Sequence, residues 1–269
     1  MLEIIIRNDY FPGKATMNKK NRWNEILTLC QSHDRISVDE LVDALHVSPA
    51  TIRRDLQEME DLNMVSRYHG GVSLSNLQLN EPGMAAKTQS NQAAKKQIAL
   101  MAARLIHDNM MIYLDAGSST YEMIPFIHAR NITIVTPGVP HLKLLGERSI
   151  PTIVLGGKLY WQTESIIGRQ ALHMLESMYF DIAFVGTNGI HEKAGFTTSN
   201  EQEADTKAMA IRHAKQPYIL ADASKFNVLR LVQFASLDEA VILTDKEPDF
   251  NHDLIQYMTA AGQTNIKDI

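Results

Sequence analysis

Residues 47–56 read Val47-Ser48-Pro49-Ala50-Thr51-Ile52-Arg53-Arg54-Asp55-Leu56. Ser48 is a good N-cap, and Pro49 suits the first helical position, where its missing N–H would be unpaired in any case. The spacing predicts a helix over about 49–62. At 100° per residue, Ile52, Leu56 and Met59 share one face, while Ala50, Arg53, Arg54, Gln57 and Asp61 take the sides and back. Upstream, Ser37-Val38-Asp39-Glu40 is a capping box in which Ser37 and Glu40 satisfy each other's exposed backbone donors. The helix it opens presents Val38, Leu41, Val42 and Leu45, and the turn His46-Val47-Ser48 joins it to the next helix. Further back, Trp23, Ile26, Leu27 and Cys30 recur at i, i+3, i+4 and i+7, one face of a preceding helix.

A short helix, a tight turn and a second helix with two arginines near its N-terminus form the helix-turn-helix arrangement. Only the early residues of a recognition helix reach base edges in the major groove, and arginine there pairs with guanine or clamps a phosphate. Met64-Val65-Ser66-Arg67-Tyr68-His69-Gly70-Gly71-Val72 reads as a two-stranded wing whose Arg67 and His69 meet the DNA backbone. The surface expected to contact double-stranded operator DNA is therefore Ser48, Ala50, Thr51, Arg53, Arg54 and Gln57, with Arg67, His69 and Gly70 from the wing. Residues 17–71 carry 7 Lys+Arg against 9 Asp+Glu, a net of −2, so the module is not broadly basic. An ordinary solvated face is the competing reading of Arg53-Arg54.

The whole chain has 269 residues, a formal net charge of −5, 45% hydrophobic and 21% charged residues. That supplies a real core and excludes a wholly disordered chain. No apolar run approaches the ~18–20 residues that span a bilayer, so no membrane partner is expected. The opening Leu2-Glu3-Ile4-Ile5-Ile6 is too short and interrupted for a signal peptide, and one cysteine, Cys30, fits a reducing cytoplasm. Two textures divide the sequence. Residues 17–72 are helically patterned; from about 93 to 269, short Val/Ile/Leu runs alternate with helical segments. Residues 73–92, rich in Ser, Asn and Gln and containing Pro82-Gly83, read as a linker, and residues 1–16 as an extension.

The second texture predicts strands over 110–114, 132–135, 152–155, 181–185, 218–221 and 240–243, with a helix from the loop after 114 to about 129. This alternation argues for an α/β domain with a mostly parallel sheet, whose ligands bind beyond the carboxyl ends of the strands. Those ends read Asp115-Ala116-Gly117-Ser118-Ser119-Thr120, Thr136-Pro137-Gly138, Gly156-Gly157, Gly186-Thr187-Asn188-Gly189 and Asp222-Ala223-Ser224-Lys225. Glycine lets backbone N–H groups approach a ligand, Ser and Thr add hydroxyls, and a following helix N-terminus adds partial positive charge, which together suit a phosphate. Lys225 adds a point charge, while Asp115, Asn188 or Asp222 suits sugar hydroxyls. Each loop by itself is as well explained by turn and cap chemistry, and Glu201, Glu203 and Asp205 by a helix dipole. No H-E-x-x-H, no paired cysteines and no nucleotide-binding glycine fingerprint occur, so no metal and no cofactor is expected.

The stretch 47–56, followed by Arg67-Tyr68-His69-Gly70-Gly71, closely resembles the DeoR family of bacterial sugar-metabolism regulators. Leu114-Asp115-Ala116-Gly117-Ser118-Ser119-Thr120 is similar to the family's D-S-G-T-T-T phosphate loop, with Ala116 in place of a serine. Gly186-Thr187-Asn188-Gly189-Ile190, Gly195-Phe196-Thr197-Thr198, Asn200-Glu201-Gln202-Glu203-Ala204 and Asp222-Ala223-Ser224-Lys225-Phe226 resemble its later motifs, and Lys207 falls where the family carries a lysine. Gln202 stands at a usually acidic position and Pro137 where asparagine is common. The resemblance implies an N-terminal winged helix-turn-helix, mainly α, plus a C-terminal α/β sensor similar in fold to sugar-phosphate isomerases. The expected function is a sequence-specific DNA-binding repressor of a carbohydrate catabolic operon, not an enzyme, controlled by a phosphorylated sugar and assembled with itself as a dimer or tetramer. The effector set is Asp115, Gly117, Ser118, Ser119, Thr120, Thr136, Gly138, Gly156, Gly157, Asn188, Glu203, Lys207, Asp222 and Lys225. The alternative is an isomerase-like enzyme, with Glu203, Asp205, Asp222, Lys207 and Lys225 as candidate acid–base groups.

Overall fold

A computed structural model describes residues 18–33, 35–61, 65–68, 70–74 and 83–265, and the chain divides into two compact units after Leu74. The first holds α1 (Lys19–Ser32), β1 (Ile36–Ser37), α2 (Val38–Leu45), α3 (Pro49–Asp61), β2 (Val65–Tyr68) and β3 (Gly71–Leu74). Asn18 caps α1 by accepting from the Asn21 amide, and the Ser37–Glu40 capping box starts α2 as the sequence predicts. His46 ends α2 in the left-handed conformation at φ +53°, turning the chain tightly into α3. There Ser48 Oγ accepts from the Thr51 amide at 3.2 Å. Ile26, Leu27, Cys30, Leu41, Ile52, Leu56 and Met59 are buried together with Val65 and Val72 of the β-sheet. β3 pairs antiparallel with both β1 and β2, giving a three-stranded sheet whose β2–β3 hairpin is the wing. Gly70 sits in its turn at φ +91°, a conformation that costs a side-chain-bearing residue free energy.

The second unit runs α4 (Met84–Gln89), α5 (Gln92–Arg104), β4 (Met111–Leu114), α6 (Ser118–Met123), β5 (Thr133–Thr136), α7 (Val139–Glu147), β6 (Thr152–Val154), β7 (Lys158–Tyr160) and β8 (Ser165–Ile167). It continues with α8 (Arg169–Leu175), β9 (Phe180–Gly186), β10 (Gly189–His191), β11 (Gly195–Thr198), α9 (Glu201–Arg212), β12 (Ala214–Leu220), β13 (Val232–Ala235), β14 (Val241–Thr244), β15 (Tyr257–Thr259) and β16 (Thr264–Asn265). Its main sheet has the order β16-β15-β14-β12-β9-β4-β5-β6, parallel throughout except for the edge strand β16. Both faces are covered, which is why its strands are apolar on successive residues. Ile112 and Leu114 pack with Ile98, Ala102 and Leu145 on one face; Tyr113 between them packs with Ala171, Leu175 and Ile211 on the other.

The chain lays β5 and β6 on one side of β4 and then returns to place β9 on the other. This reversal opens a crevice at the carboxyl ends of β4 and β9, where open parallel sheets bind ligands. Three features depart from the sequence reading. The helix after β4 ends at Met123 and passes into a 3-10 turn at Ile124–Phe126, because Pro125 has no N–H to continue it. Residues 84–89, within the stretch read as linker, form α4. Finally, β10, β11 and β13 make a separate antiparallel sheet, and β7 and β8 a hairpin.

Candidate functional site

Each unit carries its own site. In the first, α3 is anchored from below and open above. Asp55, 2% exposed, forms a paired contact with the Arg22 guanidinium: Nε faces Oδ2, and Nη2 donates to Oδ1 at 3.0 Å. The Asp55 hydrogen bonds push the Arg22 pKa further up. With Ile52, Leu56 and Met59 also buried, one side of α3 is committed to the core, and Ser48, Ala50, Arg53, Arg54 and Gln57 lie exposed on the other, with Thr51 half-buried. From the wing, Arg67 is exposed; its side chain bonds Gln57 Oε1 and approaches Glu60 at 3.6 Å, while its amide donates to Glu60 Oε1 at 3.0 Å. Wing and α3 are thus cross-tied through the residues flanking the exposed arginines. His69 lies outside the described residues.

In the second unit, a cleft opens at the β4–β9 crevice, with about 60 Å³ of water-accessible space. Its wall includes Asp115, Ala116, Gly117, Ser118 and Ser119 after β4; Gly186, Thr187 and Asn188 after β9; Thr198 of β11; Glu203 and Lys207 of α9; and Lys225. Asp115 is 4% exposed, pairs with Lys207, and accepts from the Gly186 amide at 2.9 Å. Lys207 also donates to the Gly186 carbonyl at 3.0 Å, so one ion pair ties β4, β9 and α9 together under the cleft. Glu203 accepts from the Thr163 hydroxyl, and the Asn188 side-chain Nδ2 donates to Thr198 Oγ1 at 3.1 Å. Four lysines (Lys87, Lys95, Lys207, Lys225) and two carboxylates (Asp115, Glu203) line the wall, and Asp222 acts on Lys95 from beyond it.

Beneath the loop, the Thr120 hydroxyl accepts from the Gly117 amide at 3.0 Å and donates to the Asp115 carbonyl at 2.5 Å. His141 Nε2 lies 3.1 Å from the same oxygen, and His141 Nδ1 has no hydrogen-bond partner among the described residues. A buried lone pair left unmade costs less than a buried N–H, so Nε2 carries the proton and donates to Thr120. Burial, opposed by Asp115, pushes the His141 pKa down to about 4 and keeps the ring neutral. Gly138 is required by the same ring, since a Cβ there would meet His141 Nδ1 at 2.4 Å.

Residues 22–78 match the model of the DeoR-like helix-turn-helix domain, and residues 90–246, more than half of the chain, that of the DeoR C terminal sensor domain. The chain belongs to the DeoR family. It is 39% identical over 236 residues to the HTH-type transcriptional regulator FruR of Bacillus subtilis, covering 87% of this chain and 94% of that one. It is 32% identical to the lactose phosphotransferase system repressor of Streptococcus mutans, over 87% of this chain and 94% of the repressor. The HTH-type transcriptional regulator GlpR of Haloferax volcanii is also 32% identical, over 92% of this chain and 97% of that one. Among solved structures, a ribose 5-phosphate isomerase A from Methanocaldococcus jannaschii matches 51% of this chain and 55% of that one, at 20% identity and TM-score 0.38, a level at which no activity transfers. This DeoR-family chain is a DNA-binding transcriptional regulator. Among the described residues no helix is long and apolar enough to cross a membrane, and no cluster of His, Cys, Asp and Glu could hold a metal ion.

Of the effector residues expected from the DeoR resemblance, the fold brings Asp115, Gly117, Ser118, Ser119, Asn188, Glu203, Lys207 and Lys225 to one cleft. Six others stand elsewhere. Thr120 is fully buried and braces the loop from behind; Thr136 is buried and accepts from the Gly138 amide at 3.0 Å. Gly156 and Gly157 follow β6, the sheet edge two strands from the crevice, and Asp222 accepts from Ser224 and Asn91 instead of lining the wall. Nor does Gly117 use a left-handed backbone: its φ is −96°, and a Cβ would meet its nearest neighbour at an ordinary 3.5 Å. The sequence reading missed Lys87, Ser90, Lys95 and Thr163. Lys87 and Ser90 lie on or beside α4, inside what composition marks as a linker, Lys95 lies on α5 just after it, and Thr163 carries no motif.

Proposed function

We propose that the C-terminal unit senses a phosphorylated sugar and that the chain acts as a repressor of genes for carbohydrate use. The observation that carries this is that four lysines, Lys87, Lys95, Lys207 and Lys225, line the cleft beside the Gly117-Ser118-Ser119 loop, a wall suited to an anionic group. Because α6 is only six residues long, its dipole adds little, and the lysines with the Ser118 and Ser119 hydroxyls supply the recognition. Asp115 and Lys207 hold the loops in register, and Asn188, Glu203 and Lys225 meet the ligand. Two relatives, GlcR of Bacillus subtilis and the streptococcal lactose phosphotransferase system protein, carry the name repressor, which supports that direction of control.

On the DNA side, the reading places Arg53 and Arg54 against base edges or phosphates, with Ser48, Ala50, Thr51, Gln57, Arg67, His69 and Gly70 around them. One helix and wing read a single half-site, so we infer a dimer or higher assembly held by the sensor unit. We read the cleft as binding without turnover, since Asp115 is held by Lys207 and Glu203 by Thr163. Calorimetry with matched sugars and sugar phosphates tests the reading. Phosphate esters are expected to bind at least tenfold tighter than their parent sugars and to be recovered without isomerisation. Equal affinity for the two would remove the phosphate assignment, and isomerised product would return the site to enzyme chemistry.

A further inference from the structure

The wing carries one more arginine than its own two strands supply. Arg35 lies just before β1, is exposed, and sets its guanidinium over the Tyr68 ring, 5.1 Å from the centroid. Tyr68 is the last residue of β2, immediately before the wing turn. The two are separated along the chain by α2 and α3, so no local pattern links them.

The ring is held in place from several sides. Alternation along β2 sends Val65 into the core and leaves Tyr68 on the outward face of the sheet. From there the side chain reaches across β3 to β1, where its hydroxyl donates to the Ile36 carbonyl at 3.4 Å. It can cross because position 71 is glycine: a Cβ there would stand 2.6 Å from Tyr68 Oη and 2.8 Å from Cζ. The turn beside it is fastened to the start of α2, since the Val38 amide donates to the Gly70 carbonyl at 3.2 Å. In a helix-turn-helix unit that first helix crosses the DNA backbone.

A guanidinium stacked on a ring spends only its face; the five N–H donors around its edge remain available to a phosphate. Among the described residues the Tyr68 ring is the only partner of Arg35. β1, β2 and β3 contain no acidic residue, and the Glu40 carboxylate at the start of α2 is engaged in the Ser37 capping box. Arg67, by contrast, is turned toward Gln57 and Glu60 of α3. An arginine already resting on a ring also loses less freedom on binding than one waving in solvent.

We propose that Arg35 is a DNA-contacting residue, presented by the Tyr68 ring beside the wing turn to a backbone phosphate of the operator. This rests on the wing assignment above. Such a contact positions the protein on the duplex and reads no base.

The test uses the full chain and an operator recovered by selection from a random duplex library, with affinity measured by fluorescence anisotropy over a series of salt concentrations. Arg35→Gln is expected to weaken binding about 3- to 10-fold and to lower the slope of log affinity against log salt by about 1, on operator and unrelated duplex alike. Arg35→Lys keeps the charge and should keep the slope. Tyr68→Leu should weaken binding in the wild-type background and add nothing in Arg35→Gln. Arg104→Gln, exposed at the end of α5, controls for net charge and should bind as wild type. If Arg53→Ala and His69→Ala weaken binding while Arg35→Gln changes neither affinity nor slope, the winged interface stands and this inference falls. It falls equally if Arg104→Gln matches Arg35→Gln, or if Tyr68→Leu costs the same in both backgrounds. If neither Arg53→Ala nor His69→Ala weakens binding, the DNA surface itself is misplaced, and the role of Arg35 goes with it.

Discussion

Replacing Arg22 with alanine is expected to destabilise the DNA-binding unit strongly while leaving the sensor unit intact. Asp55 is 2% exposed and held on α3 by the Arg22 guanidinium. Alanine leaves that carboxylate buried without its cation, a change that typically costs about 3–5 kcal/mol. A unit of this size has only about 3–9 kcal/mol of stability in total. The loss therefore consumes from about a third to all of it. Hydrogen–deuterium exchange on the full chain reads the effect in place: α3 amides should exchange about 100- to 5,000-fold faster, and those of β4 and β9 at the wild-type rate. Combining Arg22→Met with Asp55→Leu removes both charges and should restore most of the protection, because a well-packed apolar pair replaces a buried ion pair at little cost. Wild-type protection of α3 in Arg22→Ala, or no recovery in the double variant, would refute the argument that this ion pair anchors the recognition helix.

Other outcomes follow from the same structure. Arg53→Ala and Arg54→Ala, both exposed, should leave thermal unfolding within about 0.5 kcal/mol of wild type, yet weaken operator binding by about 1–3 kcal/mol for a base-reading arginine; wild-type affinity in both, by fluorescence anisotropy, removes the assignment. His141 has a folded pKa of about 4, below the ~6.5 of an unfolded histidine, so the unfolded chain binds the extra proton and stability falls as pH drops from 6.5 toward 4. Between pH 7 and pH 5 the sensor unit should therefore lose about 2 kcal/mol more in wild type than in His141→Gln, and equal losses in urea unfolding contradict the buried neutral ring. Ser119→Ala is expected to weaken phosphate-ester binding by about 1.5–3 kcal/mol, and Thr120→Val to destabilise the loop itself, which thermal unfolding without ligand distinguishes.

Much of this architecture was legible from local signals. The Ser37–Glu40 box, the cap at Ser48 and the face shared by Ile52, Leu56 and Met59 each depend on residues within two helical turns of one another, and such spacing survives folding unchanged. The central strands announced themselves as apolar runs because both sheet faces are covered. By contrast, β11, Gly-Phe-Thr-Thr, is buried along its whole length, so it shows no alternation to detect. α4 has six residues and one buried side chain, too little for a periodic signal, and its polar composition argued for a linker. The site was half legible for a topological reason. Strand-end loops were read as converging, whereas only those at the β4–β9 reversal and after β12 meet, and the edge position of β6 carries Gly156 and Gly157 away. Asp115 and Lys207 lie 92 residues apart, and no local pattern signals their pairing.

The central claim is that one chain couples a phosphate-bearing cleft to operator recognition. It is tested most directly by titrating full-length protein onto operator DNA, recovered by selection from a random duplex library, with and without each of a panel of sugars and their phosphate esters. At least one phosphate ester should shift the operator affinity tenfold or more while its parent sugar does not. Linkage then requires that DNA shift the affinity for that ester by the same factor. Operator binding indifferent to every phosphate ester, or shifted equally by the unphosphorylated sugars, would contradict it.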